Sequence, residues 1–396
     1  MPTDDHFMAA KKVGSSQDLV TEILLRLPVR SLIMFKSVCK HWYFVITNHP
    51  CFKNPNNKPP DPPSGLFVRI SRGYVFVPFD LHNPVKFPIL KNYGPNRETV
   101  QFKHSCNGLI LCGNLNGELL TDNSYVCNPT INQYICLPVC LNGDCLLNMS
   151  IAFDPLISPH YKVIYVYRDL DPVSVVYNYQ IDMYSSQTRT CKVSHKFNIT
   201  KVNRMAFTTG VYWKNAVHWL DKVGLIVYFD LEQEMTCEIE APFARQLAGL
   251  DDYENYLCDL FESRDQLLLV EIYRPVINKL KIYELKRDYS DWLVKYHVDF
   301  EDFGGYPVSR NVLPYRFDYL VDDFDVLSLV LGSYNDDESS FLVVETTCGK
   351  IMRLDLESKT CHELGDITCY HRIKYRLDFE QRPDVQFAAS LYNLYI

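Results

Sequence analysis

The sequence predicts a small all-α unit at the N-terminus, followed by a large all-β domain that is best described as a β-propeller of about six blades. Three observations lead to this prediction. Helical periodicity before the β-patterned part is confined to Ser15–Phe52. From Gly65 onward, short runs of alternating apolar residues are separated by turn residues roughly every 8 to 12 positions. One kind of hairpin then recurs along this second part, which indicates repeated units.

The helical unit begins with an amphipathic helix. Ser15-Ser16-Gln17-Asp18 matches a capping box, and Pro28 predicts the end of the helix, because proline disfavours helical geometry at the residue before it. The apolar residues of this helix recur at a spacing of three and four. They form one face, made of Leu19, Val20, Ile23, Leu24 and Leu27.

Two further apolar groups predict two more short helices, giving three in all. A unit of about 40 residues does not normally bury enough surface to fold alone. The segment is therefore either a helical cap on the following domain or a docking module whose spare apolar surface belongs to another protein. The two groups are Leu32, Ile33, Phe35 and Val38, then Trp42, Phe44, Val45 and Ile46.

The residues of this segment closely resemble an F-box, and the runs LPVRSL and FKSVCKHW are especially similar to plant members of that family. One departure is Ser16-Gln17, where the family has a Leu-Pro pair. The resemblance implies docking to a Skp-type adaptor and, through it, to a cullin–RING ligase. The residues that it assigns to adaptor binding are Leu19, Ile23, Leu24, Leu27, Pro28, Val29, Leu32, Phe35, Val38, Cys39 and Trp42.

The sequence also predicts the domain boundaries. Residues 1–14 are polar and unpatterned, so we expect them to be disordered, and the F-box-like unit follows over residues 15–53. Residues 54–64 are rich in proline, which has no backbone N–H to donate to a helix or a strand ladder. This composition predicts a stiff linker. The β-domain then occupies residues 65–396.

Repeated hairpins carry the propeller prediction, because one outer hairpin and about two inner strands per unit are typical of a blade. Five units are visible. The strand at Leu66–Val77 and the segment around Arg372–Ala389 are expected to complete a sixth blade jointly, which would leave no exposed sheet edge. Seven blades is the next possibility. The five hairpins span 125–137, 181–193, 227–239, 281–296 and 352–364.

Several pieces of the β-domain resemble the F-box-associated domain that follows the F-box in a large plant family. The resemblance implies a kelch-like propeller, although a Gly-Gly pair in each blade is absent and only Gly304-Gly305 occurs. The matching pieces are Ser105–Ile110, Cys127–Thr130, Phe153–Pro155 with Tyr161–Val163, Gly210–Trp213 with Ala216–Leu220, and Ala389–Leu391.

Charge and composition narrow the classes of function. The net charge is −8, and residues 1–53 hold seven basic and four acidic side chains, so the remainder carries about −11. Phosphate binding needs a basic footprint, so nucleic acid is not expected as a ligand. The start MPTDDHFMAA is unlike a signal peptide, and no apolar run reaches the roughly 18 to 20 residues of a membrane helix. We expect no membrane association and a cytoplasmic and/or nuclear location.

The 14 cysteines would then lie in a reducing compartment, where most are expected to be buried free thiols. No Cys-x-x-Cys pair occurs, so a metal site is not expected. No P-loop and no Gly-x-Gly-x-x-Gly motif opening a helix occurs either, and no cofactor is expected.

Candidate catalytic residues are few. His218 lies in an apolar strand and is expected to be a hydrogen-bonded core histidine. Three acidic clusters are expected to be solvated turns, although a propeller hydrolase with a helical cap could use paired carboxylates and is the alternative function. The clusters are Asp251-Asp252, Asp322-Asp323 with Asp325, and Asp336-Asp337-Glu338.

The resemblance implies that the chain is the substrate-recognition subunit of a Skp–cullin–F-box ubiquitin ligase. The helices would dock the adaptor, and the propeller would bind a protein substrate for ubiquitination and proteasomal degradation. No catalytic residue is expected in the chain itself.

Overall fold

The architecture is described from a computed structural model of the chain. The N-terminal 15 residues, most of the proline-rich linker, and the predicted site residues Leu27, Pro28, Val29 and Leu32 lie outside the described residues. The described residues are 16–25, 35, 38–49, 63–70, 73–79, 100–114, 124–129, 133–138, 140, 145–155, 157–168, 177–199, 207, 209–221, 224–243, 256–273, 279–304, 324–332, 339–346, 349–367 and 387–389.

Two α-helices are described in the N-terminal unit, against the three that the sequence predicts. They are α1 (Gln17–Leu25) and α2 (Lys40–Asn48). Ser16 precedes α1 and its Oγ accepts a hydrogen bond from the Leu19 backbone N–H at 3.5 Å, so Ser16, within the predicted capping box, caps the helix. Cys39 caps α2 through its Sγ, which accepts from the Trp42 N–H at 3.4 Å. Most of the second predicted helix lies outside the described part.

The β-domain is a propeller built from antiparallel sheets, and each of its four-stranded sheets has the strands in chain order. Five blades have four described strands. Blade 1 contains β3 (Val100–Cys106), β4 (Leu109–Asn114), β5 (Tyr125–Asn128) and β6 (Gln133–Cys136). Blade 2 contains β7 (Cys145–Ala152), β8 (Lys162–Arg168), β9 (Tyr177–Ser185) and β10 (Thr190–Ile199). Blade 3 contains β11 (Val211–Trp213), β12 (Ala216–Leu220), β13 (Leu225–Asp230) and β14 (Met235–Glu240). Blade 4 contains β15 (Tyr256–Ser263), β16 (Gln266–Tyr273), β17 (Lys279–Leu285) and β18 (Trp292–Asp299), and blade 5 contains β19 (Phe324–Val330), β20 (Phe341–Thr346), β21 (Lys350–Asp355) and β22 (Cys361–Asp366).

A three-stranded closing sheet joins the two ends of the β-domain. It consists of β1 (Gly65–Ile70), β2 (Gly73–Pro78) and β23 (Phe387–Ala389), in the order β2-β1-β23. The register pairs Leu66 with Ala388, which is the joining of the two ends that the sequence predicts. The predicted number of about six blades differs from the five complete blades described, because the closing sheet has only three strands in the described part.

The closing sheet fills the space between the first and last blades. One of its faces, including Leu66 and Val77, packs against Val343 and Ile351 of blade 5. The opposite face carries Phe67, Tyr74 and Phe76, and it packs against Phe102 and Ile110 of blade 1. The sheet alternates its side chains between these two cores, as strand geometry requires. The seam therefore contains large apolar side chains on both sides, each stabilising by about 1.5–3 kcal/mol when fully buried.

The predicted outer hairpins are all present as paired strands. They are β5–β6, β9–β10, β13–β14, β17–β18 and β21–β22. The β13–β14 turn shows the local chemistry, because the Asp230 Oδ1 accepts from the backbone N–H groups of Glu232 and Gln233, each at 2.8 Å. Glu234 then adopts a φ of 53°, which turns the chain into the next strand.

The cysteines differ from the expectation of buried free thiols. Of the nine free cysteines described, only Cys106, Cys112 and Cys127 are buried, and Cys140 is disulfide-bonded to Cys191. Several of the others lie on outer strands, where one side of the sheet faces solvent. Within the described ranges, no group of three or more His, Cys, Asp or Glu side chains could hold a metal ion, and no helix is long and apolar enough to cross a membrane.

Candidate adaptor-docking site

The two helices of the N-terminal unit share a small core. Val20 and Leu24 of α1 pack against Val45 and Ile46 of α2, and all four side chains are buried. Phe35 and Trp42 close one side of this core, with their rings edge to face at a centroid distance of 5.1 Å. Ring pairs in this geometry add about 0.5–1.5 kcal/mol beyond their buried area. The core therefore uses the Val20/Leu24 row of α1.

The neighbouring row of α1 faces solvent. Leu19 is 48% exposed and Ile23 is 43% exposed, one helical turn apart. Val38, just before α2, is 58% exposed. Three of the predicted adaptor-binding residues are thus available to a partner without disturbing the core beneath them.

The other described residues of the predicted site have different environments. Leu24 is fully buried and belongs to the internal core, and its direct contact with a partner stays a prediction. Phe35 and Trp42 are half-buried and support that core. Cys39 is exposed, and its sulfur caps α2.

Two exposed aromatic residues were missed by the sequence analysis as site residues. Tyr43 and Phe44 of α2 are 53% and 57% exposed. Their position directly before the apolar pair Val45 and Ile46 could have indicated their exposure, because four consecutive residues of a helix cannot all face one core. Together with Leu19, Ile23 and Val38, they make five large, mainly apolar side chains that are exposed on the described part of this unit. Side chains of this kind can bind another protein.

His218, the candidate histidine in the propeller, is a core residue as predicted. It is completely buried, its Nδ1 donates to the Val211 carbonyl at 3.3 Å, and its Nε2 accepts from the Tyr289 hydroxyl at 3.1 Å. Burial lowers the pKa of His218 to about 3. The neutral ring joins blade 3 to the β17–β18 turn of blade 4 and stacks on Tyr228 at a centroid distance of 5.2 Å.

The predicted acidic clusters lie outside the described residues, apart from Asp325, which is exposed on β19. A carboxylate that the sequence analysis missed is Glu262 at the end of β15. Its Oε1 accepts from the Asp265 backbone N–H at 2.8 Å. Glu262 is an exposed residue, yet local loss of hydration at its carboxyl group, followed by the charges of Asp265 and Asp154, raises its pKa to about 7.

A groove of about 340 Å³ lies between blades 3 and 4. Its lining includes Leu225, Ile239, Leu285 and Trp292. The Trp292 Nε1–H donates to the Glu240 carbonyl at 3.0 Å, so this groove is also part of the contact between the two blades. Ile239 packs against the core that blades 3 and 4 share. The groove is therefore better explained as part of the packing between these blades than as a ligand site.

Two sequence profiles match the chain and together span more than half of it. The F-box domain profile matches residues 16–54, and the profile described as F-box associated beta propeller domain matches residues 80–257. The first covers both described helices, and the second begins between β2 and β3 and extends to β15.

Similar proteins from Arabidopsis thaliana match over most of the chain. F-box protein At5g07610 is 27% identical over 381 residues, covering 90% of this chain and 87% of the relative. Putative F-box only protein 11 is 24% identical, covering 83% and 86%. Putative F-box/kelch-repeat protein At3g22730 is also 24% identical, covering 78% and 81%. The chain is therefore a plant F-box protein with an F-box-associated β-propeller domain.

Proposed function

We propose that the chain is the substrate-recognition subunit of a Skp–cullin–F-box ubiquitin ligase. The helices dock a Skp-type adaptor, and through it a cullin–RING ligase, while the propeller binds a protein substrate for ubiquitination and proteasomal degradation. The chain supplies proximity, since holding a substrate lysine near the charged enzyme raises the local concentration of the reacting groups. The complex acts in the cytoplasm and/or nucleus.

The observation that supports this proposal is the separation of two apolar rows on α1. Val20 and Leu24 complete the internal core, so Leu19 and Ile23 are not needed for it. Fully burying a Leu or Ile side chain stabilises an interface by about 1.5–3 kcal/mol, and roughly half of that remains to be gained at each of these two positions. The predicted residues Leu27, Pro28, Val29 and Leu32 would extend the same docking surface along the chain.

The propeller suits substrate capture because side-chain hydrogen bonds and ion pairs join neighbouring blades. At the seam between blades 2 and 3, the Lys192 ammonium pairs with Glu234 at 2.5 Å and the Ser194 hydroxyl donates to the same carboxylate at 2.5 Å. Between blades 3 and 4, the Trp213 Nε1–H donates to the Asp265 carbonyl at 3.0 Å. A rigid scaffold of this kind can present variable loops, and the fold itself does not dictate the ligand.

Capture of the ligase from plant cells tests the proposal. The full-length chain is expected to co-purify with a Skp-type adaptor and a cullin, and proximity labelling is expected to mark proteins whose abundance rises when the proteasome is inhibited. The variant Leu27→Asp with Pro28→Ala should lose adaptor and cullin together. Unchanged recovery of the adaptor with this variant, or no adaptor with the unmodified chain, would contradict the proposal.

A propeller hydrolase is the alternative, and one observation favours it. Catalytic acids often have a raised pKa and lie beside other carboxylates, and the Glu262 carboxyl group, with a pKa of about 7, has both properties. The Glu262 carboxylate is also engaged by the backbone of its own turn. Hydrolysis of a glycoside or ester panel by the purified chain, abolished by Glu262→Gln, would support this alternative over substrate recognition alone.

A further inference from the structure

A covalent bond ties the connection between blades 1 and 2 to the outer edge of blade 2. Cys140 lies in the segment that leaves β6 at Cys136 and enters β7 at Cys145, and its sulfur is bonded to that of Cys191 on β10. The two residues are 51 positions apart in the chain, and their Cα atoms are 6.1 Å apart. The bond therefore links the connection between the blades to a strand with which it shares no backbone ladder.

Cys140 is part of the core shared by the two blades. It is buried with Leu109 and Val126 of blade 1 and with Met149 of blade 2. Its carbonyl accepts a hydrogen bond from the Tyr167 hydroxyl of β8. Cys191 is only half-buried, and it packs at the margin of this same core. One sulfur of the bond is thus held inside the seam, and the other lies closer to solvent.

A second pair of cysteines provides a contrast within blade 1. The sulfurs of Cys112 and Cys127 are 3.6 Å apart on neighbouring strands, yet both thiols are free. Both side chains are completely buried, and burial raises the pKa of the Cys112 thiol well above its usual value. Thiolate is the reacting form of cysteine, so Cys112 lacks the ionisation that exchange requires, and burial denies both sulfurs access to a thiol in solution.

We propose that Cys140 and Cys191 form a reversible disulfide that fastens the seam between blades 1 and 2 when the thiol pool of the cell becomes oxidised. The proposal rests on the proposed function, because that function places the chain in a reducing compartment, where disulfides are usually transient or redox-sensing. In oxidised extracellular surroundings the same bond would be permanent.

Glutathione disulfide can oxidise Cys140 and Cys191 by thiol–disulfide exchange. The Cys191 thiolate attacks one sulfur of glutathione disulfide, the S–S bond breaks, and one glutathione thiolate leaves. The Cys140 thiolate then attacks the Cys191 sulfur of the mixed disulfide, and the second glutathione leaves. Two protein thiols are oxidised, two glutathione thiols form, and the two protons pass to the leaving thiolates. Reduction runs in reverse, with attack at the more accessible Cys191 sulfur.

Redox titration of the purified full-length chain tests the proposal. The chain is equilibrated in buffers of stepped glutathione to glutathione disulfide ratio, quenched in acid, and its free thiols are alkylated under denaturing conditions before peptide mass spectrometry. Cys140 and Cys191 are expected to become protected together, as one linked pair, and to be released again by excess glutathione. Cys112 and Cys127 are expected to remain alkylated throughout.

Variants separate the bond from general effects of oxidation. Oxidation is expected to raise the midpoint of thermal unfolding of the unmodified chain by about 5 °C, because the bond closes a long loop. Cys191→Ser should abolish that rise, and Cys136→Ser, at the exposed end of β6, should keep it. Persistence of free thiols at Cys140 and Cys191 at the most oxidising ratio overturns the proposal, as does pairing with Cys136 or Cys145, or a bond that excess glutathione does not release.

Adaptor binding is measured in the same buffers as a separate readout. Loss of adaptor binding by the reduced chain would contradict the proposed function and leave the thiol result standing. Absence of the Cys140–Cys191 exchange in a chain that binds the adaptor would contradict only the redox proposal.

Discussion

Leu19 and Val20 are adjacent in the chain and have opposite environments, since Leu19 is 48% exposed and Val20 is 1% exposed. The boundary between the internal core of the F-box and its outward face passes between them. Leu24 repeats the environment of Val20 one turn later, and Ile23 repeats that of Leu19. Variants on the two rows should therefore have different consequences.

Truncation of the inner row should unfold the helices. Leu24→Ala is expected to destabilise the helical unit by about 2–5 kcal/mol, because it leaves a cavity among Val20, Val45 and Ile46. Ile23→Ala, on the exposed row, should change the free energy of unfolding by no more than about 0.5 kcal/mol. Hydrogen exchange of the α1 amides in the full-length chain measures the change in stability caused by each variant. Equal protection in the two variants would show that the rows are not distinct.

Buried His218 should make the propeller less stable in mild acid. Its pKa is about 3 in the folded chain, against about 6.5 when unfolded, so the unfolded state binds the proton first as the pH falls. The contribution of neutral His218 to the free energy of unfolding is fully present above about pH 6.5 and is lost progressively toward pH 3. About 2 kcal/mol of it is already lost at pH 5. Urea unfolding at pH 7 and pH 5 should show a smaller difference for His218→Gln than for the unmodified chain. An unchanged difference would contradict the assignment.

Gly210 should not tolerate a side chain. A Cβ at this position would lie 2.4 Å from the Ser150 Oγ and 2.9 Å from the Trp219 Nε1, at the seam between blades 2 and 3. Gly210→Ala is therefore expected to destabilise the propeller by about 1–3 kcal/mol in chemical denaturation. Gly113→Ala is the matched control, because its Cβ would meet the flexible Lys103 side chain at 3.2 Å and the Ser124 Oγ at an ordinary contact distance of 3.9 Å. Equal costs for the two variants would contradict this packing.

The pairing of the two ends of the β-domain should be needed for a stable ring. Deletion of residues 387–396 removes β23 and exposes the edge of β1 between Gly65 and Phe67. The truncated chain is expected to unfold at a lower temperature and to aggregate more readily, because an unpaired edge strand pairs with other molecules. Deletion of residues 1–14, which the sequence predicts to be disordered, is the control. Calorimetry and light scattering should separate the two truncations, and matching behaviour would argue against a closed ring.

Much of the fold followed from the sequence because local patterns determine hairpins. The Asp230 turn and its flanking apolar residues were enough to predict β13 and β14, and the joining of Leu66 to the C-terminal segment followed from the need to cover a sheet edge. The predicted site was less complete. Periodicity placed Leu19 and Leu24 on one helix face, but only the tertiary packing decides which row is buried.

Features that join distant parts of the chain were beyond the sequence. The Cys140–Cys191 bond spans 51 positions, and no spacing rule predicts such a pair among 14 cysteines. The raised pKa of Glu262 likewise comes first from loss of hydration in the folded chain, with smaller contributions from the charges of Asp265 and of Asp154, which is 108 positions away in the chain. Patterns of neighbouring residues contain no information about these contacts.

The affinity of the full-length chain for a purified Skp-type adaptor tests the central claim most directly. Leu19→Asp with Ile23→Asp places two charges on the exposed row and leaves Val20 and Leu24 in the core. The dissociation constant is expected to rise at least about 30-fold, which corresponds to roughly 2 kcal/mol. Ile157→Asp, which changes a 70% exposed apolar residue of the propeller, should leave it unchanged. An adaptor that binds the Leu19/Ile23 variant as tightly as the unmodified chain would contradict the account.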